Sequence, residues 1–235
     1  MTWYFYLLLF ACPFAGGLVA INTAKDYRNT LKIVLAFSGS FLFAITVLGL
    51  IPEIYEQSEH TGIYVLIGFF LQILLEQLTQ GAEHGHIHKH LKSTAGLFIG
   101  LSLHAFLEGI PVGGGILAEG KSQTGLIFGI ALHEIPAAFA LIMILRSSSA
   151  RSGKTLGLLL ACYALMSPLG CFTGSWFKEG SETLHRYESI LMALVIGTFL
   201  HISTTILFEN STDHKIGRMK LGAILVGALL ALAIV

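Results

Sequence analysis

Two neighbouring stretches decide the fold: LFIGLSLHAFLEGIPVGGG at residues 97–115 and GLIFGIALHEIPAAFALIMI at residues 125–144. Each is about as long as the ~20 mostly apolar residues that a membrane-crossing helix needs. Each also carries ionisable groups in its middle, His104 and Glu108 in the first and His133 and Glu134 in the second. A charged side chain at the centre of a spanning helix costs at least ~2.5–3.5 kcal/mol, so such positions are informative. His104 and Glu108 are four apart and share one helical face. Imidazole and carboxylate are the ligand types that suit zinc and the neighbouring first-row divalent metals. A lone buried histidine is usually a satisfied core residue. Two histidines and two glutamates at matching depth on successive antiparallel helices read instead as a metal site.

Prolines and glycines surround this cluster. Pro111 and Pro136 each follow a cluster residue by three, and each removes a backbone donor, freeing the carbonyls of Leu107 and Leu132. Pro168 does the same to Ala164 in the next apolar run. Broken helices at the bilayer midplane are a common way to build an ion site. The pairs Gly109/Gly113, Gly125/Gly129 and Gly170/Gly174 have the spacing that lets helix backbones approach closely, which predicts one compact bundle of three helices.

Working outward, further apolar runs appear, giving eight spans at about 2–24, 31–52, 61–80, 94–117, 121–145, 155–176, 187–209 and 219–235. The expected fold is an all-α polytopic membrane protein, one transmembrane domain over residues 1–235 with short connections. The first run lacks a basic leading region, and its first cation, Lys25, lies on the far side. This predicts a retained helix rather than a cleaved signal. With both termini outside, the inner connections carry Lys25, Arg28, Lys32, Lys89, Lys92, Arg146, Arg151, Lys154, Lys215, Arg218 and Lys220. The outer ones carry only Lys121, Lys178 and Arg186, a clear positive-inside asymmetry. Glu53, Glu56, Glu59, Glu119, Glu179, Glu182 and Glu188 collect outside, where an acidic mouth concentrates cations.

Composition agrees. Hydrophobic residues make up 54% of the 235-residue chain and charged ones 12%, against about 25% charged in a soluble domain. With a formal net charge of zero, this argues against a soluble enzyme and against a nucleic-acid-binding protein. Cys12, Cys162 and Cys171 lie in apolar runs without a CxxC pair and are expected to pack as small hydrophobes. Enzyme-like motifs do not hold up. His133-Glu134 begins like HExxH, but Ala137 stands where the second histidine belongs. Ser152-Gly153-Lys154-Thr155 is like the end of a phosphate-binding loop, but Ser148 replaces its first glycine.

The connection GAEHGHIHKHLK alternates His84, His86, His88 and His90 on the expected cytoplasmic side. It reads either as a loose metal-receiving tract or as a polar connector. His201, inside the seventh span, reads either as an exit-route residue or as a partner of a neighbouring helix. Glu76 reads as a helix-interface residue.

Taken together, these motifs resemble those of the ZIP (ZRT/IRT-like) family of divalent-metal transporters over almost the whole chain. LAFSGSFLFAITVLGLIPE (35–53) resembles the family's second helix, HAFLEG (104–109) its fourth and HEIP (133–136) its fifth. PLG (168–170) and GTFLHISTTILFE (197–209) resemble its sixth and seventh. The resemblance implies a secondary transporter, not an enzyme, that moves Zn2+, or alternatively Cd2+, Fe2+ or Mn2+, toward the cytoplasm across the plasma or inner membrane. By position, His104, Glu108 and His133 would be the metal ligands, with Glu134 beside them. It also implies that spans one, four, five and six move against spans two, three, seven and eight. The partners implied are the metal ion and the lipid bilayer, with a homodimer left open.

Departures from the family pattern bear on the number of metals. Ala105, Ala137, Ser167 and Gly49 stand where the family places polar or acidic groups, which predicts a single midplane metal. Two alternatives follow from the same residues. One is a membrane-embedded metalloenzyme with Glu134 as base. The other is a metal-binding paralogue that does not transport.

Overall fold

The computed structural model describes residues 3–23, 28–56, 61–79, 81, 93–115, 121–148, 152–178, 182–208 and 217–235. Among these residues there is no strand. The helices are α1 (Trp3–Asn22), α2 (Arg28–Ile45), α3 (Ile51–Tyr55), α4 (Thr61–Thr79), α5 (Thr94–Gly114) and α6 (Lys121–Ser148), followed by α7 (Gly153–Ala164), α8 (Met166–Lys178), α9 (Glu182–Phe208) and α10 (Arg218–Ile234). Seven spans among the described residues are long and apolar enough to cross a membrane. The expected eighth, α10, has 17 residues, the lower end of the spanning range.

Two of the spans are not single α-helices. Between α2 and α3 the chain widens into a π turn, Thr46–Leu50, whose wider ring is closed by the Ile51 N–H donating to the Thr46 carbonyl. Pro52 follows directly, in the first turn of α3, so the wider turn immediately precedes the position where a backbone donor is missing. The sixth span breaks at Leu165, and Pro168 again falls in the first turn of the helix that follows, α8. Pro111 and Pro136 behave differently from expectation. They lie inside α5 and α6, whose helical course continues past the lost hydrogen bond, as packed neighbouring helices allow within a membrane. Of the three prolines marked for a helix break, only Pro168 accompanies one.

Ends are capped locally. The Ser93 hydroxyl accepts from the Gly96 N–H (3.0 Å) and the Ser152 hydroxyl from the Thr155 N–H (3.2 Å). The loop-like Ser152–Thr155 motif is therefore a helix cap. Gly115, at φ 72°, ends α5 in the left-handed region. Arg146, in the last turn of α6, donates to the carbonyls of Ala20 (3.3 Å), Ile21 (3.3 Å) and Thr23 (2.6 Å), tying down the C-terminus of α1.

The bundle is built from intimate helix pairs: α5 with α8, α1 with α6, α4 with α9, and α2 with α10. Each pair is brought together by glycine. A Cβ at Gly109 or Gly113 would strike the carbonyls of Ser167 or Cys171 on α8, and one at Gly170 or Gly174 would strike those of Phe106 or Ile110 on α5. Gly68 and Gly197 do the same for α4 and α9, Gly16 for α1 against Ile135, and Gly227 for α10 against Phe37. Gly125 and Gly129 depart from the expected three-helix bundle. They face the side chains of Ile45, Leu42 and Phe41 on α2, not the backbones of α5 or α8. Large apolar side chains such as Leu7, Leu66, Phe70, Phe172, Leu225 and Leu229 are exposed. In water such a surface would aggregate. In a bilayer it faces hydrocarbon.

Candidate metal centre

Helices α5 and α6 place the ionisable cluster at their interface. His104 is 2% exposed and Glu108, His133 and Glu134 are 1% exposed each. One helical turn sets the His104 Nε2 2.9 Å from Glu108 Oε1. His133 reaches the same space from α6, with its ring edge-on to that of His104 at a centroid distance of 6.1 Å. One ligand atom from each of His104, Glu108 and His133 lies within 4.8 Å of the others. Two ligands on a common zinc, each ~2.0–2.2 Å away, can be no more than ~4.4 Å apart, so small side-chain adjustments suffice to close on an ion.

His133 is the diagnostic member. Neither of its ring nitrogens has a hydrogen-bond partner among the described residues, nor does Glu108 Oε2. Leaving a buried polar group unsatisfied costs ~1–3 kcal/mol, more if it is charged. An imidazole left bare in this way, facing a second imidazole and a carboxylate, has the donor set of a divalent-metal site. Three protein ligands also leave a fourth coordination position open.

Glu134 points elsewhere. Its Oε1 accepts from the Ser167 hydroxyl at 2.9 Å, and the same hydroxyl lies 3.1 Å from the Ala105 carbonyl. The single Ser167 proton is thus shared between α5 and α6. In sequence Ser167 reads only as a missing acid, because the bridge depends on how α8 packs against α5 and α6. The sole signal for it was a hydroxyl beside the helix-breaking Pro168. Ala105 and Ala137, also buried, contribute no donor side chain. Gly49 lies away from the cluster, where an added Cβ would meet Val235 and Ser122.

His201 joins a different contact. Its Nε2 is 3.7 Å from Glu76 Oε2, and its ring packs edge-on against Phe69 at 5.0 Å. Of its two readings, the structure supports partnership with a neighbouring helix, and it makes Glu76 the interface residue expected. His84, His86, His88 and His90 lie outside the described residues.

Comparison with known proteins identifies the family. The family model described as ZIP zinc transporter matches residues 80–235. Zinc transporter ZIP3 of Bos taurus is 28% identical over 285 aligned residues, covering 93% of this chain and 90% of that protein. Its Homo sapiens counterpart is 22% identical over 288, again covering 93% and 90%. Protein zntD of Dictyostelium discoideum is 28% identical over 149 residues, 57% of this chain, which spans only 22% of zntD's length. The chain belongs to the ZIP zinc transporter family, a family of transporters rather than enzymes, and is a multi-pass membrane protein that transports divalent metal.

Proposed function

We propose that the protein carries Zn2+, or a closely related first-row divalent cation, toward the cytoplasm through one mid-membrane site formed by His104, Glu108 and His133. The observation that carries this reading is the bare, buried His133 imidazole held within ligand reach of His104 and Glu108. The relatives named as zinc transporters favour zinc among the metals that such ligands accept.

A dehydrated divalent ion inside a bilayer is prohibitively costly unless charge and ligands replace its water. One carboxylate and two neutral imidazoles supply three ligands and leave a net charge near +1. Glu134, one residue from His133 in sequence, does not coordinate in this arrangement; in its ionised form it would bring the site to neutrality. An open fourth position lets water or an incoming ligand exchange, so the site binds without trapping. The asymmetry of cations across the connections supports entry from the acidic outer face of the cell's bounding membrane and release toward the basic inner face.

The test is zinc flux into proteoliposomes. His104→Ala and His133→Ala are each expected to abolish most uptake, and wild-type rates in both variants would overturn the site. Titration of the purified protein is expected to give one tight midplane metal per chain. Two would overturn the single-site reading.

A further inference from the structure

Helices α1 and α2 both pack on α6 but scarcely touch one another, and the gap between them is a cleft of about 200 Å³. Gly16 and Val19 of α1 form one wall, Leu31 and Val34 of α2 the other, and Ile135 and Phe139 of α6 the floor. The backbone approach of Gly16 to Ile135 seals α1 onto the floor and makes the cleft one-sided. Thr30, in the first turn of α2, and Pro136 complete the lining, which is almost wholly apolar.

We infer that this cleft binds an acyl chain of a bilayer phospholipid. An apolar cavity of ~150 Å³ inside a protein stays dry and takes apolar guests, so water is not the occupant here. The cleft opens onto the lipid-facing surface, since its rim residue Val19 is 54% exposed and continues into the exposed Leu18. Along α6, Ile135 lies roughly 16 Å from Arg146, which marks the membrane-surface end of the helix by holding the end of α1. That distance is about half of the ~30 Å hydrocarbon layer, the depth reached by a chain from one leaflet. An empty gap would forfeit dispersion contacts along three helices, and a methylene chain restores them. The chain lies against Ile135 and Pro136, directly beside His133 and Glu134 in sequence, and fills a seam where α2 meets the α1–α6 pair.

The experiment uses the full chain in liposomes containing a phospholipid with a photoactivatable diazirine on one acyl chain. Cross-linked peptides are mapped by mass spectrometry. Adducts around Val19 and Val34 are expected several-fold above those around Leu225 and Leu229 on α10, which are exposed to lipid about as much as Val19 or more. Val34→Trp, which fills the cleft, is expected to bring the cleft adducts down to the α10 level and leave the α10 adducts unchanged. Val19→Trp provides the same test from the opposite wall should Val34→Trp fold poorly. Cleft adducts no more abundant than those on α10, or undiminished in both filled variants, would overturn the proposal.

Discussion

At the residue scale, the cluster is a small set of polar groups in a nearly polar-free volume. The identity of its members was legible from the chain because ionisable groups within apolar runs are rare and costly. The i, i+4 spacing sets His104 and Glu108 on one face and the family resemblance implies His133 as the third member, but where Glu134 turns was not legible. His133 and Glu134 are adjacent, so on a helix their side chains diverge by about 100°. One points to His104 and Glu108 and the other to Ser167. Replacing Ser167 with Ala removes the donor to Glu134 Oε1, a change expected to cost ~1–3 kcal/mol. Thermal unfolding in detergent should register it as a lower midpoint, with zinc stoichiometry unchanged. Saturating zinc should in turn raise the unfolding midpoint of the wild type, since a ligand at 100 times its dissociation constant adds ~2.7 kcal/mol. That increment should vanish in His133→Ala, and its persistence there would remove His133 from the site.

At the element scale, glycine governs which helices pair. Of the GxxxG pairs Gly109/Gly113, Gly125/Gly129 and Gly170/Gly174, identical in spacing, only the first and last meet as reciprocal backbone contacts between α5 and α8. Gly125/Gly129 receives side chains of α2 instead, and the single glycines Gly16, Gly68, Gly197 and Gly227, which no motif marked, close the other pairs. Spacing shows that a helix can approach closely. It does not show what approaches. Gly113→Ala drives a methyl into the Cys171 carbonyl and is expected to destabilise by ~1–3 kcal/mol, as overpacking does. Gly157→Ala, on α7 with open space at its Cβ, is expected to be neutral or to stabilise by up to ~1 kcal/mol through helix propensity. Comparing the two midpoints separates packing from propensity, and equal effects would contradict the close approach of α5 and α8.

At the scale of the whole molecule, the helix pairs fall into the groups that the family resemblance implied. Spans one, four, five and six hold the α1–α6 and α5–α8 pairs, and spans two, three, seven and eight hold α2–α10 and α4–α9. The metal cluster lies wholly within the first group, so a relative shift of the groups would carry it without dismantling its ligands. Orientation belongs to this scale too. In a background without Cys12, Cys162 and Cys171, a cysteine at Ser147 should react with a membrane-impermeant maleimide only from the cytoplasmic side. A cysteine at Glu53 should react only from outside, and the reverse pattern would invert the direction of transport.

Span number, spanning regions, the ionisable cluster and the positive-inside bias could be read from the chain because they depend on local quantities, namely hydropathy over about 20 residues and charge in short connections. The shared proton of Ser167, the Glu76–His201 contact, the uninterrupted course of α5 and α6 past their prolines and the apolar cleft beside α6 depend on which surface of one helix meets which surface of another. A uniformly apolar helix has no strong preferred face, so its sequence leaves rotation and neighbour undetermined. Glycine surfaces and a few buried hydrogen bonds settle both once all the helices are packed together.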